Sequence, residues 1–141
     1  MRPGRLLPAL LGLALGPWAC ASATRVQVRS DPATNDGRSF YMLVRTVDGE
    51  QQVVAEGYDI AAERVFTRLP QEGLQERRVV IPGVDLDVDL DIEEPVDVVL
   101  YFFFTRPGDR WWVKIDKKRL PAEIVVELGR NEVVRLGVRR Q

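Results

Sequence analysis

The sequence predicts an all-β fold, a two-sheet antiparallel β-sandwich with one helical excursion. In most segments the apolar residues recur at every second position, which is the period of a strand with one buried face. Clusters of Gly, Pro, Asn and Asp separate these segments, and one segment has the longer period of a helix. Hairpins with a single helix favour a sandwich. The predicted strands are residues 25–29, 39–47, 76–81, 84–92, 96–105, 111–115, 124–128 and 133–138.

The first two strands flank a polar loop. Val26 and Val28 alternate with polar residues in the first strand, and residues 39–47 are rich in aromatic and β-branched side chains. Residues 31–38, which connect the two strands, are dense in Asp, Asn, Pro and Gly, the residues that favour turns. We therefore expect this segment to be a surface loop whose polar residues can be replaced without loss of the fold.

The helix is predicted over residues 58–69, where apolar and aromatic side chains recur at helical spacing. Asp59 is a candidate N-cap, because its carboxylate could accept hydrogen bonds from the first N–H groups of the helix. Pro70 ends the helix, since proline has no N–H to donate and its ring clashes with the preceding turn.

Residues 84–92 alternate completely between apolar and acidic side chains. Calcium binds several oxygen ligands, but same-face residues of a strand lie about 7 Å apart and cannot all converge on one ion. A charged face that deters pairing with another strand, with Lys or Arg on the neighbouring strand, is the better interpretation. The predicted inward residues are Leu86, Val88, Leu90 and Ile92, and the outward residues are Asp85, Asp87, Asp89 and Asp91.

The most apolar strand is followed by a pair of tryptophans. Residues 98–104 are all apolar or aromatic, so this strand is predicted to be central and covered on both faces. Trp111 and Trp112 are adjacent, and in a strand one ring is expected to face the core and the other to face outward. The outward ring is either an interaction anchor or buried under the helix.

The N-terminal segment has the three parts of a secretory signal. Residues 1–19 contain a positively charged start and a short apolar core, and residues 21–23 supply a small-residue exit. Cys20 is the only cysteine in the chain, and its position after Ala19 resembles the lipobox of bacterial lipoproteins. That resemblance implies acylation of the thiol and removal of residues 1–19. The alternative is ordinary cleavage after residues 21–23, with loss of Cys20.

The composition argues against several classes of function. Removal of residues 1–19 leaves one domain, residues 20–141, with a net charge of −3 and no basic tract, which argues against binding of nucleic acid. The chain contains no histidine, so the commonest general base and metal ligand are missing. No phosphate-binding loop, metal-ligand spacing or nucleophile motif occurs in the sequence. We predict a non-enzymatic protein with no cofactor, metal or small-molecule substrate.

The order of these features resembles the TssJ family, the outer-membrane lipoproteins of the bacterial type VI secretion system. The resemblance implies a transthyretin-like sandwich of two four-stranded sheets, anchored by lipid in the outer membrane and facing the periplasm. It also implies that the loop between the first two strands binds the periplasmic part of TssM, the large inner-membrane component. The local matches are Asp31-Pro32, Asn35-Asp36-Gly37, residues 40–45, Pro82-Gly83 and residues 101–112.

The resemblance places the candidate site on residues 31–38. Loops on a rigid sandwich often carry binding residues. Two other classes of function stay open, a carbohydrate-recognition lipoprotein with an exposed tryptophan as a stacking platform, and a hydrolase that uses carboxylates alone. The candidate partner-binding residues are Asp31, Pro32, Asn35, Asp36, Gly37 and Arg38.

Overall fold

The computed structural model describes residues 23–47, 57–66, 74–92, 96–116 and 122–139. The predicted signal, Cys20 and the predicted helix end at Pro70 lie outside these residues. The elements within them are β1 (Ala23–Ser30), β2 (Phe40–Val47), α1 (Tyr58–Phe66), β3 (Leu74–Val80), β4 (Leu86–Asp91), β5 (Asp97–Phe103), β6 (Trp112–Ile115), β7 (Glu123–Leu128) and β8 (Val133–Arg139).

The strands form two four-stranded sheets. The first sheet has the order β4-β1-β7-β8, and the second has the order β3-β2-β5-β6. Buried side chains from both sheets, such as Val26 and Val126 from the first and Met42 and Phe102 from the second, belong to one hydrophobic core. The predicted all-β sandwich with one helical excursion is confirmed, as are the two four-stranded sheets that the family resemblance implies.

Neighbouring strands are antiparallel in every described ladder except that of β1 with β7, where Gln27 lies opposite Val125 in a parallel register. Strand direction alternates along the chain, so two odd-numbered strands run the same way when they are placed side by side. The same alternation brings the β1–β2, β3–β4, β5–β6 and β7–β8 connections to one end of the sandwich. We call this end the loop end, and we call the opposite end, where β1 begins at Ala23, the tether end.

Strand β5 is central and buried on both faces, as predicted. Phe102 and Phe104 point into the core between the sheets, and the ring of Phe104 stacks on Phe40 with centroids 4.8 Å apart. Tyr101 and Phe103 point to the other face, where they form a second apolar cluster with Ala61 of α1. The helix is therefore the neighbour that shields the outer side of this sheet.

Helix α1 begins one residue earlier than its expected cap. The carbonyl of Gly57 accepts hydrogen bonds from the N–H groups of Ile60 and Ala61, at 3.1 and 3.2 Å. The prediction that Asp59 is the N-cap is therefore wrong, because Asp59 lies inside the first turn. Its negative charge in the first turn still stabilises the helix through a favourable interaction with the helix dipole. No helix in the described ranges has the length and apolar character needed to cross a bilayer.

The two tryptophans both pack on the cluster beneath the helix. Trp111 lies just before β6 and its ring is 5.1 Å from that of Tyr58 in an edge-on contact. Trp112 is the first residue of β6 and is also half-buried against this cluster. The expected division into one inward and one outward ring holds only in part, because Trp111, which precedes the strand, packs against both the core between the sheets and the cluster beneath the helix. Burial under the helix is the alternative that this packing supports.

Strand β4 is an edge strand with the predicted alternation. Val88 and Leu90 are buried, whereas Asp87 and Asp89 are exposed. The expected cation on the neighbouring strand is Arg25, whose Nε lies 3.1 Å from Oδ1 of Asp89. These aspartates therefore give a solvated, charged edge to the first sheet.

Candidate functional site

The loop end is one connected surface rather than four separate loops. The N–H of Gly108 in the β5–β6 connection donates to the carbonyl of Asn131 in the β7–β8 connection at 2.8 Å. The N–H of Gly83 in the β3–β4 turn donates to Oγ of Ser30, the last residue of β1, at 3.1 Å. These hydrogen bonds hold the connections against one another, so a ligand at this end would meet a preformed surface.

The β1–β2 loop contains a left-handed turn. Asn35, Asp36 and Gly37 have φ angles of 52°, 54° and 75° in succession. Gly, Asn and Asp are the residues that adopt this conformation at the lowest cost, which explains the sequence of this turn. The turn is preceded by Asp31, whose Oδ1 accepts a hydrogen bond from the N–H of Ala33 at 2.8 Å.

Asn35 joins three of the connections at the loop end. Its side chain accepts a hydrogen bond from the N–H of Thr105 at 2.7 Å and donates to the carbonyl of Arg38 at 2.9 Å. Its own N–H donates to the carbonyl of Arg130. Asn35 is only 4% exposed, so the expectation that it is a replaceable surface residue is wrong. It orders the loop, and a partner would contact the side chains around it.

The other candidate residues of the loop are exposed, as a binding role requires. They are Asp31, Pro32, Asp36, Gly37 and Arg38. Pro32 also packs closely against the β3–β4 turn. If Gly83 carried a Cβ atom, that atom would lie 3.0 Å from Cγ of Pro32. Gly83 has a φ of 79°, so glycine is needed there for both conformation and space. The structure thus brings the predicted residues together on the loop end, next to the predicted Pro82-Gly83 turn.

A shallow pocket lies beside the left-handed turn. It has a volume of about 360 Å³ and is lined by Asn35, Asp36, Arg106, Arg130 and Asn131. Nε and Nη2 of Arg130 each lie 2.8 Å from Oδ1 of Asp36. The hydrogen bond from Arg130 and its positive charge lower the pKa of the Asp36 carboxyl, with smaller contributions from Arg106 and Arg38. Asp36 is therefore a carboxylate in a mainly cationic setting.

Arg106, Arg130 and Asn131 are site residues that the sequence interpretation missed. They lie in the β5–β6 and β7–β8 connections, which the pattern of turn residues predicts only as tight turns. The alternation of strand direction was a usable signal, because it places every second connection at the same end of a sandwich. The lateral order of the strands was still needed to bring Arg106 and Arg130 to one pocket.

The loop end offers guanidinium, amide and carboxylate groups for recognition. Among the residues that the structure describes, no group of three or more Cys, Asp or Glu side chains is placed to share a metal ion. The groups that line the pocket are donors and acceptors of hydrogen bonds, and they suit contact with a polar partner surface.

The same fold occurs in several solved structures. TssJ1, the T6SS lipoprotein of Pseudomonas aeruginosa, matches with a TM-score of 0.65 and 11% identity over 86% of this chain and 98% of that chain. A chain in the structure of the T6SS protein TssM C-terminal domain (869–1107) from EAEC matches with a TM-score of 0.61 and 16% identity. The match covers 81% of this chain and 99% of that chain. Lip of Serratia marcescens, a membrane-bound component of the type VI secretion system, matches with a TM-score of 0.55 and 12% identity over 82% of this chain and 97% of that chain.

The sequence itself matches a family model. The model describes the N-terminal domain of IglE and matches residues 41–128. None of the curated protein sequences matches this chain. The IglE family, TssJ1 and Lip are type VI secretion proteins of the lipoprotein type rather than enzymes, and the resemblance to the TssJ family is confirmed. The chain therefore belongs to the IglE family of type VI secretion lipoproteins and has the TssJ-type sandwich fold.

Proposed function

We propose that this protein anchors a type VI secretion membrane complex to the outer membrane. In this proposal acyl chains on Cys20 hold the protein at the membrane, and the loop end binds the periplasmic part of a TssM-like inner-membrane protein. The observation that carries the proposal is the separation of the two ends of the sandwich. Cys20 precedes Ala23, the first residue of β1, by three positions, and the candidate loop follows the last residue of the same strand.

The length of β1 sets the distance between membrane and partner. Its eight residues span about 26 Å at roughly 3.3 Å per residue. A chain tethered through Cys20 would therefore direct its loop end away from the lipid surface and toward the periplasm. The tether also raises the effective concentration of the loop near a partner in the same envelope. An interface of modest affinity could therefore be bound for most of the time.

The comparison with the TssM structure supports this choice of partner. The match covers 81% of the present chain and 99% of the matching chain, so the matching chain is shorter than the present one. Residues 869–1107 of TssM form a far longer segment than that. We infer that the matching chain is a companion of the TssM domain in that structure. A sandwich of this type beside a TssM domain is the arrangement that our proposal requires.

The anchor predicts that Cys20→Ser releases the protein from the outer-membrane fraction. Each buried CH₂ of an acyl chain contributes about 0.8 kcal/mol to membrane affinity, so loss of the chains removes the main membrane contact. Fractionation and metabolic labelling with a radioactive fatty acid would detect the change, and only the protein that retains Cys20 should be labelled. An unlabelled protein whose mature chain begins at Thr24 would contradict the anchor.

The partner site predicts that Arg38→Ala weakens binding to the periplasmic domain of the TssM-like protein by about tenfold or more. Arg38 is exposed and its backbone is extended, so the loop should be retained, whereas Asp36→Ala would place alanine at a φ of 54° and remove the ion pair with Arg130. Calorimetry with the full-length protein in detergent measures the affinity.

The matched control is a double substitution on another surface. Asp87→Ala with Asp89→Ala removes exposed charges from β4, and binding should be unchanged. If the β4 variant fails to bind while the loop variant binds normally, the acidic edge is the interface and the assignment to the loop end is wrong.

A further inference from the structure

The two arginines that line the pocket differ in how they are paired, because Arg130 contacts the carboxylate of Asp36 and Arg106 does not. On the first sheet, Arg25 contacts Asp89, Arg135 contacts Glu127 and Arg139 contacts Glu123, all within 4 Å. On the edge of the second sheet, Arg78 contacts Glu76 at 2.8 Å. Exposed arginines of the sheets in this protein therefore commonly have a carboxylate partner on their own or a neighbouring strand.

Arg106 has no such partner. Within the described part of the chain it forms no salt bridge and donates no side-chain hydrogen bond, although it lies near enough to Asp36 to lower the pKa of that carboxyl. Among the described residues, the one carboxylate that lines the pocket is that of Asp36, and Arg130 contacts it at 2.8 Å. One side of the pocket thus presents a guanidinium group without a carboxylate.

The charged groups of the pocket are mainly cationic. Among the residues that the structure describes, its lining contains two guanidinium groups against one carboxylate, and the amide of Asn131 offers both a donor and an acceptor. The amide of Asn35 is already engaged with Thr105 and Arg38. A planar guanidinium group such as that of Arg106 binds a carboxylate through two parallel hydrogen bonds. The acidic residues in the neighbouring turns, Asp109 and Glu132, do not line the pocket.

We propose that this pocket receives a carboxylate side chain of the partner, bound by Arg106 beside the existing pair of Arg130 and Asp36. The inference rests on the proposed function, because it names the chemistry that the TssM-like protein presents to the loop end. A protein carboxylate is favoured over lipid phosphate, since the pocket lies at the end opposite Ala23, where the tether begins. Its volume of about 360 Å³ accommodates one acidic side chain with its hydrating water.

The test is Arg106→Gln in the full-length protein, measured against the periplasmic domain of the TssM-like protein in detergent. Affinity should fall by about tenfold or more, because truncation of one member of a charge pair leaves the other unpaired. Arg106→Lys should restore part of the loss. The matched control is Arg139→Gln, an exposed arginine at the tether end, which should bind like the unchanged protein. The salt dependence should be steeper for the unchanged protein than for Arg106→Gln.

The outcomes separate the two proposals. No binding by the unchanged protein would overturn the proposed function itself. Normal binding by both arginine variants, with equal salt dependence, would leave that function standing and overturn the carboxylate pocket. Arg106-dependent binding of the Cys20→Ser protein to anionic phosphatidylglycerol vesicles would assign the pocket to lipid headgroups and overturn the protein partner.

Discussion

Phe102→Ala should lower the free energy of unfolding by about 3–5 kcal/mol, the usual cost of truncating a buried aromatic residue. Phe102 is fully buried in the central strand β5, between the two sheets. Phe103→Ala should have a cost in the same range, although its ring points to the other face and packs beneath α1. Urea unfolding followed by circular dichroism measures both changes.

A surface variant of the same sheet provides the comparison. Val79 is 48% exposed on the edge strand β3, and Val79→Ala should change the stability by no more than about 0.5 kcal/mol. If Phe103→Ala were as harmless as this control, α1 would not cover the outer face of β5. The two-layer burial of the strand would then be wrong.

Asn35→Ala should destabilise the protein by about 2–4 kcal/mol and disorder the β1–β2 loop. The substitution leaves the N–H of Thr105 and the carbonyl of Arg38 without their side-chain partner, and each lost hydrogen bond costs about 0.5–1 kcal/mol because both groups belong to exposed residues. It also places alanine at a φ of 52°, which costs about 1–2 kcal/mol. Thermal unfolding gives the loss of stability, and amide hydrogen exchange in residues 31–38 reports the order of the loop.

Asn35→Gly separates these two causes. Glycine adopts the left-handed conformation freely but supplies no hydrogen bonds, so it should be about 1–2 kcal/mol more stable than alanine at this position. Equal stability of the two variants would show that the left-handed backbone carries no cost there. A loop that stays ordered in both variants would contradict the role of the Asn35 side chain.

Much of the fold could be predicted because each strand has its own local signal. In β4 the alternation of aspartate with Val88 and Leu90 indicates both the strand and its buried face. In β5 the unbroken apolar run indicates a position with neighbours on both faces, and α1 with the first sheet supplies them. These predictions depend only on which face of an element is buried, which local sequence specifies directly.

The site was less predictable because it depends on which loops meet. Asn35 has the sequence of a surface turn, and its burial comes from Thr105 and Arg130, residues distant in the chain. The pairing of β1 with β7 is equally nonlocal, and it is the reason that the β7–β8 connection lies beside the β1–β2 loop. The sequence around Arg106 therefore predicts only a residue of a tight turn, although Arg106 lines the pocket.

An ordered loop end has a consequence for binding. The hydrogen bonds of Asn35 and the ion pair of Asp36 with Arg130 fix the exposed side chains before any partner arrives. Binding then requires less ordering of the loop, and more of the contact energy appears as affinity. This explains how a short polar loop could support specific recognition on a small sandwich.

The most direct test of the proposed anchor is a hydrogen-exchange footprint of the full-length protein, free and bound to the periplasmic domain of the TssM-like protein. We predict that binding slows exchange in residues 31–38, 105–110 and 129–132, the three connections of the loop end that meet at Asn35. Exchange in β4 and at Ala23 should be unchanged, because they face away from the partner in our proposal. Protection along β4 or at the tether end, with the loop end unchanged, would contradict the proposal.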